Sequence, residues 1–311
     1  MSDMWKEITV SFKLKSPLHI GYMPFKGSVI SPTRYYVPGR NLWGAITKCI
    51  TEYLYKNPTA NDYRNIGAMV KDNFRFSYFY VYDGINIYFP RYTEHELKYG
   101  NISRSEFEHR FIGSQIFTAI DSTGTAKNAS LHEIEFINNK FKDTNGNIKD
   151  VRIMGCVLVK ENAKIGDKTV IISDKAEILI DGFNIMKELI LGGESKYGFG
   201  HVLFDPSGSI KFPIKTVKAE ECKIEINDNY IITHLKYDKT IKFKGDIELL
   251  TGRGYYDPKD SKDRSTYKPG EAISKLEYYF SPGTYILDDT KVYTMSWDGT
   301  LKRDEPEQRF R

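Results

Sequence analysis

Four glycines lie within nine residues of one another, in a pattern that could bind an anion. They are Gly192, Gly193, Gly198 and Gly200, in the segment LGGESKYGFGHV. Glycine tolerates positive φ, so successive amide groups can point the same way and form a concavity for phosphate. We therefore expect these glycines to shape a loop from which Lys196 and Tyr197 contact a polyanion. The alternative is a tight helix-to-strand turn in which a glycine caps the helix.

The start of the chain carries a local excess of positive charge. Between Ile8 and Thr51 there is no Asp or Glu, although the whole chain is nearly balanced at 45 basic and 41 acidic residues. Aromatic residues interleaved with the cations favour an RNA surface, because bases stack on rings while Lys and Arg contact phosphates. Alternatively, the acidic partners come from elsewhere in the fold. The cations are Lys13, Lys15, Lys26, Arg34, Arg40 and Lys48, and the aromatic residues are Tyr22, Phe25, Tyr35, Tyr36 and Trp43.

Three short motifs occur in order along the first two-thirds of the chain. Pro17–Gly21 reads PLHIG, Tyr35–Ile46 reads YYVPGRNLWGAI, and the glycine-rich segment follows much later. This order resembles the RAMP superfamily of CRISPR-associated proteins, the RRM-like subunits of RNA-guided effector complexes. A further segment, Ile120–Glu135, looks like the mid-domain part of that family. Residues 121–124 read DSTG where many members have an Arg after the Asp, so one basic contact of the relatives is missing here.

The resemblance implies an RNA-binding, non-catalytic subunit of a type III (Csm- or Cmr-like) CRISPR effector ribonucleoprotein, acting in antiviral defence. Its partners would be CRISPR guide RNA, held through the phosphate backbone, and other effector subunits, with no cofactor and no metal. We expect two sets of residues to contact the RNA. One set lines the first helix, Arg34, Tyr35, Arg40, Asn41 and Lys48, and the other is the loop, Gly192, Gly193, Lys196, Tyr197, Gly198 and Gly200.

The alternative function is that of a metal-independent endoribonuclease that processes CRISPR repeat RNA. Such members of the family use a His with Tyr or Lys neighbours for acid–base chemistry, and His19 is the best candidate because it follows the first strand close to the basic segment. Members that cut target RNA carry an Asp between the first strand and the first helix, where this chain has no carboxylate. The glycine-rich segment also lacks the Gly-Lys-Ser/Thr ending of a nucleotide hydrolase.

Hydrophobic periodicity predicts the elements that hold these motifs. Lys6–Lys15 alternates as a strand, and apolar residues from Leu42 to Leu54 recur at helical spacing after Asn41, which suits an N-cap. Gly44, inside that helix, costs about 1 kcal/mol relative to Ala, so we expect another backbone, the glycine-rich segment, to approach it closely. Phe74–Tyr82 and Ile85–Pro90 flank Asp83-Gly84 as a hairpin. The later elements are a short helix over 103–111, a strand over Val151–Val159, a second helix over Asp174–Leu191 and a strand over His201–Phe204.

This order predicts an α+β fold with a ferredoxin-like or RRM-like βαββαβ core. Residues 1–214 would form an RNA-binding domain with an insertion near 92–130. Residues 215–311 would form a β-rich C-terminal extension or a degenerate second RRM-like half. We expect a mobile loop over Gly252–Gly270, where basic and acidic residues alternate.

Composition bounds the remaining possibilities. The chain has 311 residues, 40% of them hydrophobic, and a net charge of +4, too small to imply nucleic-acid binding by itself. Cys49, Cys156 and Cys222 lie far apart without metal-site spacing, which favours buried thiols. No apolar run is long enough to span a membrane and no signal peptide is recognisable, so we expect a cytoplasmic protein with no membrane partner.

Overall fold

The computed structural model describes residues 4–21, 29–128, 130–206, 210–218, 221–226, 228–252, 254, 273–288 and 291–303. Within this part the protein is a strand-rich α+β structure. Most of the loop predicted over Gly252–Gly270, and the basic and aromatic residues Tyr22, Phe25 and Lys26, lie outside the described residues.

Three α-helices and a series of short strands form the part of the chain up to Phe204. The helices are α1 (Gly39–Leu54), α2 (Ala60–Asn73) and α3 (Arg104–Phe111). The strands are β1 (Trp5–Leu14), β2 (Ile30–Ser31), β3 (Tyr36–Val37), β4 (Phe74–Phe76), β5 (Phe79–Tyr82), β6 (Pro90–Tyr92), β7 (Leu97–Tyr99), β8 (Ile102–Ser103), β9 (Ile112–Phe117), β10 (His132–Ile137), β11 (Lys140–Lys142), β12 (Ile148–Asp150), β13 (Arg152–Lys160), β14 (Lys164–Ile165), β15 (Lys168–Ile172), β16 (Ile178–Ile180), β17 (Phe183–Asn184), β18 (Glu188–Ile190) and β19 (His201–Phe204).

The first large sheet is built around the two longest strands. Its order is β18-β19-β1-β13-β5-β3, with β4 also paired to β13. β1 is antiparallel to both β13 and β19. The strands predicted over Lys6–Lys15, Val151–Val159 and His201–Phe204 are thus present and adjacent. Ile85–Pro90 does not form the predicted second strand of a hairpin, since only Ile87 bridges back to Tyr82.

The helix predicted over Asp174–Leu191 is wrong, because this segment forms β16, β17 and β18. Asp181 and Gly182 both have positive φ and join β16 to β17, with Ile180 paired to Phe183. Two positive φ values in a two-residue turn are the geometry of a type I′ hairpin, which Asp-Gly favours. The crossover from β13 to β19 is therefore made of strands, so the predicted βαββαβ core is not established.

Helix α1 packs against the first sheet through one apolar stripe, in which Leu42, Ile46 and Ile50 are completely buried. It begins at Gly39 with Pro38 as N-cap, so Asn41 lies in the first turn and is not the predicted N-cap. Helix α2 was not predicted, although Thr59 and Asp62 form a capping box at its start. The predicted short helix is α3, which Ser103 caps.

The described residues after Phe204 form strands and connecting loops. The strands of this C-terminal unit are β20 (Lys215–Lys218), β21 (Lys223–Glu225), β22 (Leu235–Lys236), β23 (Phe243–Lys244), β24 (Ile247–Leu250), β25 (Glu277–Phe280), β26 (Tyr285–Ile286), β27 (Val292–Met295) and β28 (Leu301–Arg303). Seven of them form a sheet in the order β20-β21-β27-β28-β22-β25-β24. Tyr36 and Tyr80 of the first sheet, and Tyr78 between β4 and β5, share a core with these strands, so the two parts pack directly together.

Candidate functional site

The N-terminal half of α1 and the glycine-rich segment lie side by side. They line an open cavity of about 490 Å³, which we call the helix–loop cavity. Its lining combines Arg40, Asn41, Trp43, Gly44, Ala45 and Lys48 of the helix with Ile190 at the end of β18, Gly192 and Ser195 of the loop, and Thr251 and Gly252. The fold thus brings together two motifs that lie far apart in sequence.

The glycine-rich segment, Leu191–Val202, is held on the PLHIG turn by its own backbone. Gly193 N–H donates to the carbonyl oxygen of His19 at 2.9 Å, and Gly200 N–H donates to that of Pro17 at 2.8 Å. A Cβ at Gly192 would overlap the His19 carbonyl oxygen. The predicted concavity of free amides is therefore wrong for Gly193 and Gly200, whose amides are bonded to the PLHIG turn instead.

The tip of the segment faces outwards. Ser195–Tyr197 forms a single 3₁₀ turn between Glu194 and Gly198, both with positive φ. Lys196 is exposed, and Tyr197 is 55% exposed, with its ring 4.8 Å from that of Phe117. Gly198 has open space where a Cβ would lie. Lys196 and Tyr197 thus lie at the surface, next in sequence to Ser195, which lines the cavity.

His19 lies beneath the loop and is buried. Its Nδ1 atom is 2.7 Å from the carbonyl oxygen of Glu135, and its own carbonyl accepts the Gly193 amide. General acid–base chemistry needs a side chain within reach of the substrate. The structure therefore corrects the prediction for His19, which links the loop to β10 and does not face solvent.

Two of the residues predicted to contact RNA lie in the interior. Tyr35 is buried, packs against Phe107 and donates its hydroxyl to Glu108 at 2.8 Å. Arg34 is 13% exposed at its side chain and forms an ion pair with Glu248 at 2.9 Å. The prediction for Tyr35 is corrected, because this side chain is part of the core. The guanidinium of Arg34 is held by Glu248, although its side chain also lines the second cavity described below. Arg34 follows the alternative interpretation of the basic segment, in which acidic partners come from elsewhere in the fold.

Arg34 belongs to a buried polar cluster that joins the two sheets, which we call the buried joint. Its members are Arg34, Tyr36, Tyr78, His234 and Glu248. A carboxylate only accepts hydrogen bonds, so His234 donates from Nε2 to Glu248 and its Nδ1 accepts from the Tyr78 hydroxyl, at 2.6 Å. Burial would raise the pKa of Glu248, but His234 and Arg34 hold it at about 2. Burial lowers the pKa of His234 in spite of Glu248.

Arg40 and Lys48 have a different environment from Arg34. Arg40 Cζ lies 5.3 Å from the ring centroid of Trp297, and no carboxylate among the described residues pairs with it. Burial lowers the pKa of Arg40, which Asp298 offsets in part. Lys48 is 61% exposed, with Glu52 3.9 Å away. Both cations line the helix–loop cavity and remain available to an anion.

Gly44 does not serve the purpose predicted for it. Among the described residues outside the helix itself, a Cβ built at this position meets no atom within 4 Å, so none of their backbones approaches it. Its open side belongs to the helix–loop cavity. The space beside Gly44 is thus left to whatever occupies that cavity.

Sequence reasoning missed several residues around the site. Trp297 and Asp298 come from the turn after β27, Lys71 comes from α2, and Phe117 ends β9. Nothing in their local sequence signals a role, because each meets α1 or the loop only through the tertiary fold. Trp43, one of the aromatic residues of the basic segment, lines the cavity, and its indole N–H donates to the carbonyl oxygen of Gly67.

A second cavity, of about 530 Å³, lies between the two sheets and shares Arg40 and Asn41 with the first. Its lining mixes charges of both signs, including Lys275, Glu277 and Asp298. Across the described ranges, no group of three or more His, Cys, Asp or Glu side chains could hold a metal ion. No helix in those ranges is long and apolar enough to cross a membrane.

Comparisons with known proteins give only distant similarity. No family model and no curated protein matches the sequence. A chain in the cryo-EM structure of the type III-B Cmr-beta bound to cognate target RNA and AMPPnP is 14% identical, covering 89% of this chain and 85% of that chain, with a TM-score of 0.48. Chains of Cmr-beta in the apo state and bound to cognate target RNA are 9% identical, covering 64% of this chain and 96% of those chains, with TM-scores of 0.35 and 0.33. At these values neither family nor function follows.

Proposed function

We propose that this chain is an RNA-binding, non-catalytic subunit of a type III CRISPR effector ribonucleoprotein, as the RAMP-like motifs imply. It would hold guide RNA by the phosphate backbone and pack against other effector subunits. The proposal rests on one observation above all, the helix–loop cavity, in which the YYVPGRNLWGAI motif meets the glycine-rich segment.

The chemistry of the cavity suits a polyanion. Arg40 and Lys48 supply cations to the cavity from α1. Lys196, which follows the lining residue Ser195 in sequence, is an exposed cation of the loop. Tyr197 and Phe117 lie next to each other as a platform on which a base could stack. Phosphate contacts carry no sequence information, which suits a protein whose RNA is recognised by base pairing.

Binding of fluorescently labelled single-stranded RNA to the full chain, measured across a salt series, tests the proposal. Arg40→Ala and Lys196→Ala should each weaken binding about equally for unrelated sequences. Each should also reduce the log–log salt slope by roughly 0.7, the value for one lost phosphate contact to a single strand. Lys98→Ala is the matched control. Lys98 lies on β7, is not part of the cavity lining, and pairs with Glu96 at 3.5 Å. Unchanged affinity and slope in both site variants would refute the assignment.

The endoribonuclease alternative has no support from the position of His19, which is buried under the loop. The same protein, incubated in EDTA with labelled CRISPR repeat RNA, should leave that RNA intact. Discrete cleavage products from the wild-type chain that disappear in His19→Ala would overturn the non-catalytic assignment.

A further inference from the structure

The half-buried side chain of Trp297 contacts two cations that come from separate helices. Arg40 Cζ of α1 lies 5.3 Å from the ring centroid, and Lys71 Nζ of α2 lies 4.2 Å from it. Lys71 Nζ is also 4.7 Å from the ring of Trp43, which packs edge-on against Trp297. The C-terminal unit thus holds together two positive groups that the first two helices contribute.

No ion pair within the described residues compensates these two charges. Burial lowers the pKa of Lys71, the charge of Arg40 lowers it further, and Asp298 offsets this in part. Like charges held close to one ring repel each other, and the cation–π contacts with that ring favour both cations. An anion between the two cations would offset their mutual repulsion.

The position of the pair indicates which anion it would meet. Arg40 both contacts Trp297 and lines the helix–loop cavity, and Trp43 lines that cavity too. Lys71 therefore lies just beyond one end of the cavity, on the side of α2. A polyanion in the cavity could continue past Arg40 to Lys71.

We propose that Arg40 and Lys71, held on Trp297, form a phosphate clamp that extends the RNA path from the helix–loop cavity onto α2. This inference rests on the proposed function and adds a second contact region to it. Trp297 acts as a positioning residue, because its ring orders the two cations and does not itself contact the phosphates. The C-terminal unit would thereby contribute to RNA binding without supplying a cation.

The test is a salt series with the full chain and a labelled single-stranded oligouridylate of about 20 nucleotides. Lys71→Ala should reduce the log–log slope by roughly 0.7, as Arg40→Ala does. Trp297→Leu should lower both affinity and slope by more than Lys71→Ala alone, and Trp297→Phe, which keeps a ring, should restore most of both. Lys168→Ala is the control, because Lys168 pairs with Asp181 elsewhere on the surface.

The outcomes separate the clamp from the proposed function. If Arg40→Ala and Lys196→Ala reduce the slope but Lys71→Ala and Trp297→Leu do not, the clamp is refuted and the proposed function stands. If the wild-type chain does not bind the oligonucleotide, both fail. A purely structural role for Trp297 would lower the melting temperature and leave the salt slope unchanged. If Trp297→Leu does not fold, the salt slopes of Lys71→Ala and Trp297→Phe test the clamp instead.

Discussion

Arg34 and Arg40 lie six residues apart in one basic segment, yet the fold gives them opposite environments. Arg34 is closed into the buried joint by Glu248, which is 214 residues away in sequence. Arg40 lies on an aromatic ring at the edge of an open cavity. A run of cations in a sequence therefore does not tell which of them can meet a ligand, because partners from distant parts of the chain decide it. The joint should govern stability, and the cavity should govern binding.

Breaking the buried joint should cause the largest loss of stability. Glu248→Ala leaves Arg34 buried without its partner, which typically costs about 3–5 kcal/mol. The free energy of unfolding from denaturant titration measures this loss. The matched control is Glu94→Ala, which removes an exposed pair with Lys244 and should cost no more than about 1 kcal/mol. Equal losses in the two variants would show that the joint does not hold the sheets together.

Acid should weaken the same joint. The pKa of Glu248 is about 2 when folded and near 4.3 when unfolded, so the folded state binds the proton less readily. Glu248 thereby adds roughly 3 kcal/mol to the free energy of unfolding above about pH 4.3, and this amount is lost as the pH falls towards 2. Because burial lowers the pKa of His234, that residue adds a loss that starts below about pH 6.5. Denaturant titrations at several pH values should show a shallower acid decline for Glu248→Gln, and an identical decline would contradict this.

Within the glycine-rich segment, two glycines should differ in their tolerance of a side chain. Gly192→Ala combines a positive φ with an overlap on the His19 carbonyl, so it should destabilise by about 1–3 kcal/mol. Gly198→Ala has a positive φ but open space, and it should cost about 1 kcal/mol. Thermal melts of both variants compare the two sites. A greater loss for Gly198→Ala would mean that the loop does not rest on His19 as described.

Gly44 offers the smallest effect and the sharpest contrast with the joint. Gly44→Ala meets no atom and should stabilise α1 by up to about 1 kcal/mol. If RNA lies across this face, the same substitution should weaken RNA binding, so stability and affinity would move in opposite directions. Paired melts and binding titrations check this. Increased stability with unchanged affinity would place the RNA away from Gly44.

Local patterns predicted β1, α1 and β19, because each shows a clear hydrophobic period over its own residues. The same patterns wrongly predicted a helix over Asp174–Leu191. In this segment short strands are separated by tight turns, so their apolar residues recur at intervals close to those of a helix, and Asp181-Gly182 forms one of the turns. The motifs identified the glycine-rich segment and the start of α1 as neighbours. They could not show that Tyr35 is core, that Glu248 neutralises Arg34, or that Trp297 reaches Arg40. These facts depend on contacts between residues far apart in sequence.

Photocrosslinking of the full chain to RNA that contains 4-thiouridine, followed by mass spectrometry of the linked peptides, tests the central claim most directly. Adducts are expected on Tyr197 and on the peptides that carry Arg40 to Lys48. Adducts confined to surfaces away from the helix–loop cavity, such as the strands β14 to β17, would contradict it.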